Sequence, residues 1–224
     1  MIMHTIAHPS ILYFGTPVVI VSTMNENNTA NLAPISSIFW LGWRCMIGLA
    51  ASSKTTANLM RTKQCVLNLP SVNQVAAVNR LARTTGSFPV PPGKIQKGYR
   101  YEPNKFAIAD LTAQDSHFVK PPRVKECPVQ MEAVVEGVHE FAQNDPEMKG
   151  KIITFELVIK QVYLDESIQK ANPDKVDPDK WRPLIMSFQE FYGLGERVHE
   201  SDLAKIDEQL YQTHDREVAR QALV

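Results

Sequence analysis

The segment from Lys151 to Leu164 constrains the fold more than any other part of this 224-residue chain. Apolar side chains alternate along it with mostly polar ones: Ile153, Phe155, Leu157 and Ile159 share one side, and Thr154, Glu156, Val158 and Lys160 share the other. A period of two residues is typical of a β-strand with one buried face and one face in water. The segment therefore predicts a long, half-exposed strand.

Five other runs of apolar or β-branched residues predict strands. They are Val18–Thr23, Thr29–Leu41, Cys45–Ala51, Cys65–Leu69 and Gln130–Phe141. Met24–Asn28 predicts a turn between the first two, because asparagine tolerates left-handed backbone and caps turns with its own amide. Pro34 marks an edge strand or a bulge, since proline has no N–H to give to a ladder. Many short antiparallel strands with few helices favour a closed or partly closed barrel.

Three segments predict helices and two predict loops. The helices are Thr55–Thr62, the stretch after the capping box Ser71–Gln74, and a surface helix over Ser201–Leu223 with Leu203, Ile206 and Leu210 on one stripe. The loops are Thr84–Asn104, which is rich in glycine and proline, and Lys170–Pro183. Loops as long as the first are usually functional or disordered. We expect one domain over residues 1–224, with a helical extension over about 196–224.

Charge and cysteine content restrict the class of function and the compartment. Lys plus Arg and Asp plus Glu both number 24, so the formal net charge is zero and favours neither nucleic acid nor a charged membrane surface as a partner. The three cysteines are an odd number and form no CxxC pair, which favours a reducing compartment. We find neither a secretory leader nor an apolar stretch of about 18 residues. We therefore expect a cytoplasmic protein.

Sequence signatures of hydrolysis, phosphoryl transfer and metal catalysis are missing. The chain has no GxSxG, no Walker A loop, no HExxH and no GxGxxG motif. His4 and His8 are four residues apart, but Pro9 follows directly and the pair lies near a chain end that is prone to fraying. We therefore predict neither a metal site nor a catalytic acid, base or nucleophile.

Two clusters of small polar residues interrupt the predicted strands. The first is Asn31–Ser37, and the second is Ser52–Leu59, which follows an apolar strand and begins a helix. A helix start has unpaired N–H groups and a dipole that favours an anion, so Ser and Thr hydroxyls with Lys54 suit a phosphate. The alternative is an ordinary helix cap, because Ser and Thr are favoured at that position without any ligand.

The order of several short motifs resembles that of the flavin-reductase-like family of FMN-binding split β-barrels. The matching segments are Pro17–Thr23, Asn31–Ser37, Ser52–Leu59, Val66–Pro70, Lys105–Phe106, Leu111–Thr112, Glu126–Glu132 and Phe191–Gly193. This resemblance implies a mainly β, antiparallel Greek-key barrel with a few flanking α-helices. It also implies a homodimer with one FMN per subunit near the dimer interface.

The same resemblance implies which residues bind FMN. Residues expected along the isoalloxazine ring are Asn31, Ala33, Pro34, Ser36 and Ser37. Residues expected at the phosphate are Ser52, Ser53, Lys54 and Thr55. The remaining expected residues are Asn58 beside the phosphate loop or the ribityl chain, Arg83 on a loop near the flavin, and Tyr192 closing the pocket.

In this interpretation the flavin carries the chemistry and the protein orients it. The first hypothesis is a flavin reductase that moves a hydride from NADH or NADPH to FMN, in a small and largely uncharged pocket, and passes electrons to a small molecule, an oxygenase or a redox protein. The alternatives are a flavoredoxin-like carrier with bound FMN and a non-catalytic FMN-binding module. The sequence shows no nicotinamide-binding motif that would separate them.

Overall fold

A computed structural model describes residues 2–222, and β-strands dominate it. The strands are β1 (Phe14–Pro17), β2 (Val19–Met24), β3 (Ala30–Ile35), β4 (Ile38–Leu41), β5 (Arg44–Ala50), β6 (Gln64–Leu69), β7 (Thr84–Thr85), β8 (Arg100–Tyr101), β9 (Ala113–Gln114), β10 (Arg123–Val124), β11 (Val129–Glu140), β12 (Ile152–Leu164), β13 (Ile185–Ser187) and β14 (Glu190–Tyr192). The α-helices are α1 (Lys54–Thr62), α2 (Val75–Ala82), α3 (Pro92–Ile95), α4 (Lys105–Ala109) and α5 (His214–Gln221). Strand pairs are antiparallel apart from the short β7–β8 pair, so the mainly β, antiparallel prediction is confirmed.

Seven strands form the main sheet in the order β3-β2-β6-β11-β12-β5-β4. The segment with period-two alternation is β12, which pairs with β11 along one edge and with β5 along the other. Phe155 and Leu157 on its apolar side are fully buried, as the alternation predicts. Val158 on the opposite side is also buried, so that face is not uniformly wet.

The connection between β3 and β4 shows that this sheet curls into a barrel. These two strands are the opposite edges of the seven-stranded order, yet only Ser36 and Ser37 separate them along the chain. Two intervening residues span at most about 11 Å, whereas the edges of a flat seven-stranded sheet lie roughly 29 Å apart. The edges therefore meet, and within residues 2–222 no ladder joins them. Pro34 lies on edge strand β3, as expected for a residue that has no N–H to give to a ladder.

Strand β2 is buried on both faces and separates two hydrophobic cores. Val19 and Val21 point into the barrel, where they pack in one cluster with Phe155. Ile20 belongs to a second cluster outside the barrel, which also contains Leu81 of α2 and residues of α4. This double burial explains why the run Val18–Thr23 is almost continuously apolar. It also holds α2 and α4 against the strand, beside the polar cluster of β3.

The region after residue 195 differs from the predicted helix over Ser201–Leu223. It forms two 3-10 turns, Asp202–Lys205 and Glu208–Tyr211, before helix α5. The carboxylate of Asp207 accepts the backbone N–H of Gln209, so this side chain caps a new turn where a long helix would continue. Leu203 and Leu210 are mostly exposed. Leu223 lies outside the described residues.

The predicted loop Thr84–Asn104 contains short regular elements. It includes β7, the single helical turn α3 and β8. Two backbone hydrogen bonds, from Arg100 N to the Arg83 oxygen (3.1 Å) and from Glu102 N to the Thr85 oxygen (2.9 Å), tie its far end to its beginning. The segment is therefore fixed to the protein at both ends. Among residues 2–222 no helix is long and apolar enough to cross a membrane.

Candidate functional site

A cavity of about 960 Å³ opens where β3, the end of β5, the start of α1 and the segment after α2 meet. Its volume lies within the range of sites that take cofactors and other small ligands. Its lining combines apolar side chains, such as Ile35 and Met186, with hydroxyls, amides and cations. Among the described residues, no group of three or more His, Cys, Asp or Glu side chains is placed to hold a metal ion.

The structure brings nine of the twelve predicted site residues into this cavity. They are Asn31, Ala33, Pro34, Ser36, Ser37, Ser53, Lys54, Thr55 and Arg83. The two polar clusters come together because the β3–β4 connection and the β5–α1 connection lie at the same end of the barrel.

Three predicted residues lie outside the cavity lining. Ser52 is exposed, while Asn58 is fully buried behind the first turn of α1. Tyr192 is 56% exposed, and the preceding residue, Phe191, lines the cavity. Alternate side chains of a strand point to opposite faces, so in β14 only one of these two rings faces the cavity. In this chain Phe191 lines the cavity and Tyr192 does not, so the expectation that Tyr192 closes the pocket stays a prediction.

Asn31 lies at the centre of the polar part of the cavity. Its side-chain nitrogen donates to the Thr55 hydroxyl at 3.2 Å and lies 3.5 Å from that of Thr23, which fixes the orientation of the amide. Its Oδ1 atom is buried and has no hydrogen-bond partner among the described residues. A buried carbonyl oxygen without a partner is costly, so this atom is a ready acceptor for a ligand.

Gly86 lets the chain pass close to this acceptor. A Cβ atom at Gly86 would lie 2.6 Å from Oδ1 of Asn31 and 3.1 Å from Cγ of Lys54. Any larger residue would therefore displace both side chains. The glycine holds the segment after β7 directly against the amide and the lysine.

Asn58 links helix α1 to the strands behind the cavity. Its side-chain nitrogen donates to the Thr23 hydroxyl and to the side-chain oxygen of Asn25, both at 3.0 Å. These bonds fasten α1 to the β2–β3 hairpin. Both acceptors lie on the hairpin and not on the Ser52–Thr55 segment, so a role for Asn58 beside the phosphate stays a prediction. Its side chain is too buried to line the cavity.

The start of α1 has features of both an ordinary helix cap and a phosphate site. Ser53 caps the helix, because its hydroxyl accepts the Thr56 N–H at 3.0 Å. The hydroxyl is therefore already engaged, while the first-turn N–H groups of Lys54 and Thr55 have no intrahelical partner. Lys54 bonds to the exposed carboxylate of Glu26 at 2.5 Å. That lysine lowers the pKa of Glu26, chiefly through this hydrogen bond.

The cavity is strongly cationic, which contradicts the expectation of a largely uncharged lining. Among the described residues, five cations and no carboxylate line it: Lys54, Arg83, Lys94, Lys97 and Lys105. Among residues 2–222, only Lys54 of these five forms a salt bridge. Lys94, Lys97 and Lys105 come from the segment after β7, far in sequence from the polar clusters. In the sequence, Lys105 lies in a segment, Lys105–Phe106, that resembles the family, whereas no sequence pattern pointed to Lys94 or Lys97.

Lys105 is the most deeply buried of these cations. Its ammonium donates to the backbone oxygen of Leu32 at 2.7 Å, beside the polar cluster of β3. Burial lowers its pKa to about 7, and the nearby charge of Lys94 contributes in the same direction. An anion in the cavity would favour the charged form and raise that pKa again.

Comparison with known proteins decides the family. The flavin reductase like domain matches residues 11–195. The chain is also 36% identical over 190 residues to the uncharacterized protein YdfE of Bacillus subtilis (strain 168), and the match covers 85% of this chain and 89% of that protein. The chain belongs to the flavin-reductase-like family. Members of this family typically bind flavin, and they include flavin reductases.

Two solved structures show the same fold. Flavoredoxin of Desulfovibrio vulgaris (Miyazaki F) superposes with a TM-score of 0.72 at 19% identity, over 92% of this chain and 100% of that chain. Nitrilotriacetate monooxygenase component B from Bacillus cereus superposes with a TM-score of 0.67 at 18% identity, over 85% and 89% of the two chains. The predicted split-barrel fold is confirmed.

The low pKa of Lys105 predicts how stability depends on pH. The folded protein releases this proton near pH 7, whereas an unfolded chain keeps it to a pKa near 10.5. Between these values the unfolded chain binds more protons, so this group makes the free energy of unfolding rise with pH, by at most about 1.4 kcal/mol per pH unit. Lys105→Met should remove that rise.

Urea unfolding at about pH 7 and about pH 9.5 measures this contribution. The matched control is Lys125→Met, because Lys125 is exposed and lies outside the cavity. The control should keep the pH dependence of the wild-type protein. An equal pH dependence in wild type and Lys105→Met would contradict the assignment.

Proposed function

We propose that this protein binds FMN in the cavity and uses it as a flavin reductase, with NADH or NADPH as the hydride donor. The observation that carries this proposal is the combination of Asn31, Lys54 and the free N–H groups of α1 in one cationic cavity. Family membership supports flavin as the ligand. The residues of the chain support a phosphorylated flavin, because a flavin without a phosphate would leave the lysines and the arginine of the cavity without an anion.

The donors and acceptors of the cavity fit FMN. Its phosphate suits the start of α1, where Lys54 and the N–H groups of the first turn favour an anion. Its ribityl hydroxyls and ring N–H are donors for the unpartnered Oδ1 of Asn31. Its flat apolar ring suits the wall that Ile35, Leu49 and Met186 contribute.

FMN when bound supplies the two-electron chemistry, taking a hydride from the nicotinamide and passing electrons on to an acceptor. The residues of the chain bind and orient it. Ser37 is held by two hydrogen bonds to Gly48, one from its hydroxyl to the Gly48 oxygen (2.6 Å) and one from the Gly48 N–H to the Ser37 oxygen (3.0 Å). This rigid corner would fix the position of the ring without any acidic or basic side chain. The acceptor in this proposal is a small molecule, an oxygenase or a redox protein of the cytoplasm.

We further propose a homodimer. Edge strand β4 exposes Phe39 (53%) and Leu41 (74%), and Phe14 near the N-terminus is 71% exposed. Exposed apolar residues at an unpaired edge are typical of a surface that another protein covers. Light scattering at micromolar concentration should give twice the mass of one chain, and the double variant Phe39→Glu/Leu41→Glu should shift it towards one. A monomer mass for the wild-type protein with FMN bound would contradict the dimer.

The ion pair between Lys54 and Glu26 predicts opposite effects of two substitutions on FMN affinity. Lys54→Gln removes a charge-assisted hydrogen bond to the phosphate, which should weaken FMN binding about ten-fold or more. Glu26→Gln removes the competing carboxylate and should strengthen it by about two- to three-fold, as expected for an exposed pair. Flavin fluorescence titration measures both.

Riboflavin is the control ligand because it lacks the phosphate. Its affinity should change little in either variant, so the ratio of FMN to riboflavin affinity should fall in the first and rise in the second. If both variants keep the wild-type ratio, the phosphate does not bind at the start of α1.

Reduction by nicotinamide nucleotides tests the enzymatic proposal. Under anaerobic conditions, NADH or NADPH should bleach the visible absorbance of the bound flavin, and a chelator should not prevent it. Stopped-flow absorbance measures the rate. If neither nucleotide reduces the flavin while dithionite reduces it fully, the reductase proposal fails and an electron carrier replaces it.

A further inference from the structure

Residues 86–104, which we call the arm, lie against the cavity and carry two of its cations. The arm begins at Gly86, next to Asn31 and Lys54, and its far end is tied back by the β7–β8 pair. Between these points the turn α3 and the residues after it bring Lys94 and Lys97 to the cavity. The arm is therefore fixed at both ends, with its lysines over the site.

Lys94 is half-buried without an acidic partner. Its ammonium donates to the Thr85 hydroxyl at 3.1 Å and lies 5.6 Å from the centre of the Tyr99 ring. No described carboxylate lies within salt-bridge distance of it, and burial lowers its pKa. One hydroxyl and one ring satisfy such a charge only in part, so an anionic ligand would stabilise it.

The number of cations exceeds what FMN needs. A phosphate monoester carries a charge of about −1.5 to −2 at neutral pH. Lys54 at the start of α1 matches part of this charge, and the buried Lys105 adds a second cation to the same cavity. Arg83, Lys94 and Lys97 remain, and none of them pairs with a described carboxylate. The excess indicates a second anion beside the first.

We propose that Lys94 and Lys97 bind a phosphate group of the nucleotide that donates the hydride. The ligand named here rests on the proposed function, since a reductase must bring a nicotinamide nucleotide to the flavin. NADH carries a pyrophosphate, and NADPH carries an additional phosphate on its adenosine ribose. Both nucleotides offer phosphate oxygens to two lysines three residues apart, Lys94 within α3 and Lys97 just after its end.

Equilibrium binding of the oxidised nucleotides tests this without turnover. The protein is loaded with FMN, and calorimetry measures the dissociation constants of NAD⁺ and NADP⁺ for the wild type and for Lys94→Gln/Lys97→Gln. The double variant should bind nucleotide about ten-fold more weakly or worse, with a shallower salt dependence. Loss confined to NADP⁺ assigns the lysines to the ribose phosphate, and equal loss for both nucleotides assigns them to the pyrophosphate.

Two controls separate this effect from misfolding and from charge alone. Lys94→Arg/Lys97→Arg keeps both charges and should retain most of the affinity. Lys149→Gln/Lys151→Gln removes the same two charges at exposed residues of the β11–β12 connection and should leave nucleotide affinity unchanged. FMN affinity should be the same in all variants.

Unchanged nucleotide binding in the double glutamine variant overturns the proposal, and so does a loss of FMN affinity in place of nucleotide affinity. Absence of nucleotide binding to the wild type overturns it as well. Failure of the proposed function gives a different result. In that case neither nucleotide reduces the wild-type flavin, but the double glutamine variant still binds nucleotide more weakly than the wild type.

Discussion

The two-residue connection from β3 to β4 is the constraint on which the site depends. It forces the two edges of the seven-stranded sheet together, and it places Ser36 and Ser37 where the barrel is split. The hydrogen bonds between Ser37 and Gly48 join this connection to β5, and the start of α1 follows at once. Both polar clusters therefore meet at one corner because the barrel closes there. The cavity is a consequence of that closure.

Charge separation in the fold turns a neutral chain into one with a cationic cavity. Carboxylates are engaged elsewhere: on the β5–β12 side of the sheet, Arg44 bonds to Glu156 at 2.7 Å and to Asp215 of α5 at 2.8 Å. Glu132 is fully buried and accepts the N–H groups of His117 and Val119. Within residues 2–222, the charged side chains that line the cavity are all cations. Net charge thus says little about a local site, whose field depends on which charges the fold assembles.

The sequence predicted the features that local patterns determine. Alternation located β12, the capping box preceded α2, and Pro34 indicated an edge strand. Predictions failed where contacts between distant parts of the chain determine the local structure. The periodic apolar residues Leu203, Ile206 and Leu210 predicted one long helix, but the chain there forms 3-10 turns capped by side chains. Lys94 and Lys97 carried no local signal, because only the β7–β8 pair and α3 bring their segment to the cavity.

The lysines of the cavity lower the stability of the ligand-free protein and favour the binding of an anion. Lys105 donates to a backbone oxygen, and the charge of Lys94 disfavours its protonated form. Two cations that repel each other, one of them buried, destabilise the ligand-free protein. An anion that binds only the folded state would offset this cost and stabilise the protein by mass action. The same repulsion would then add to affinity, because relieving it becomes part of the free energy of binding.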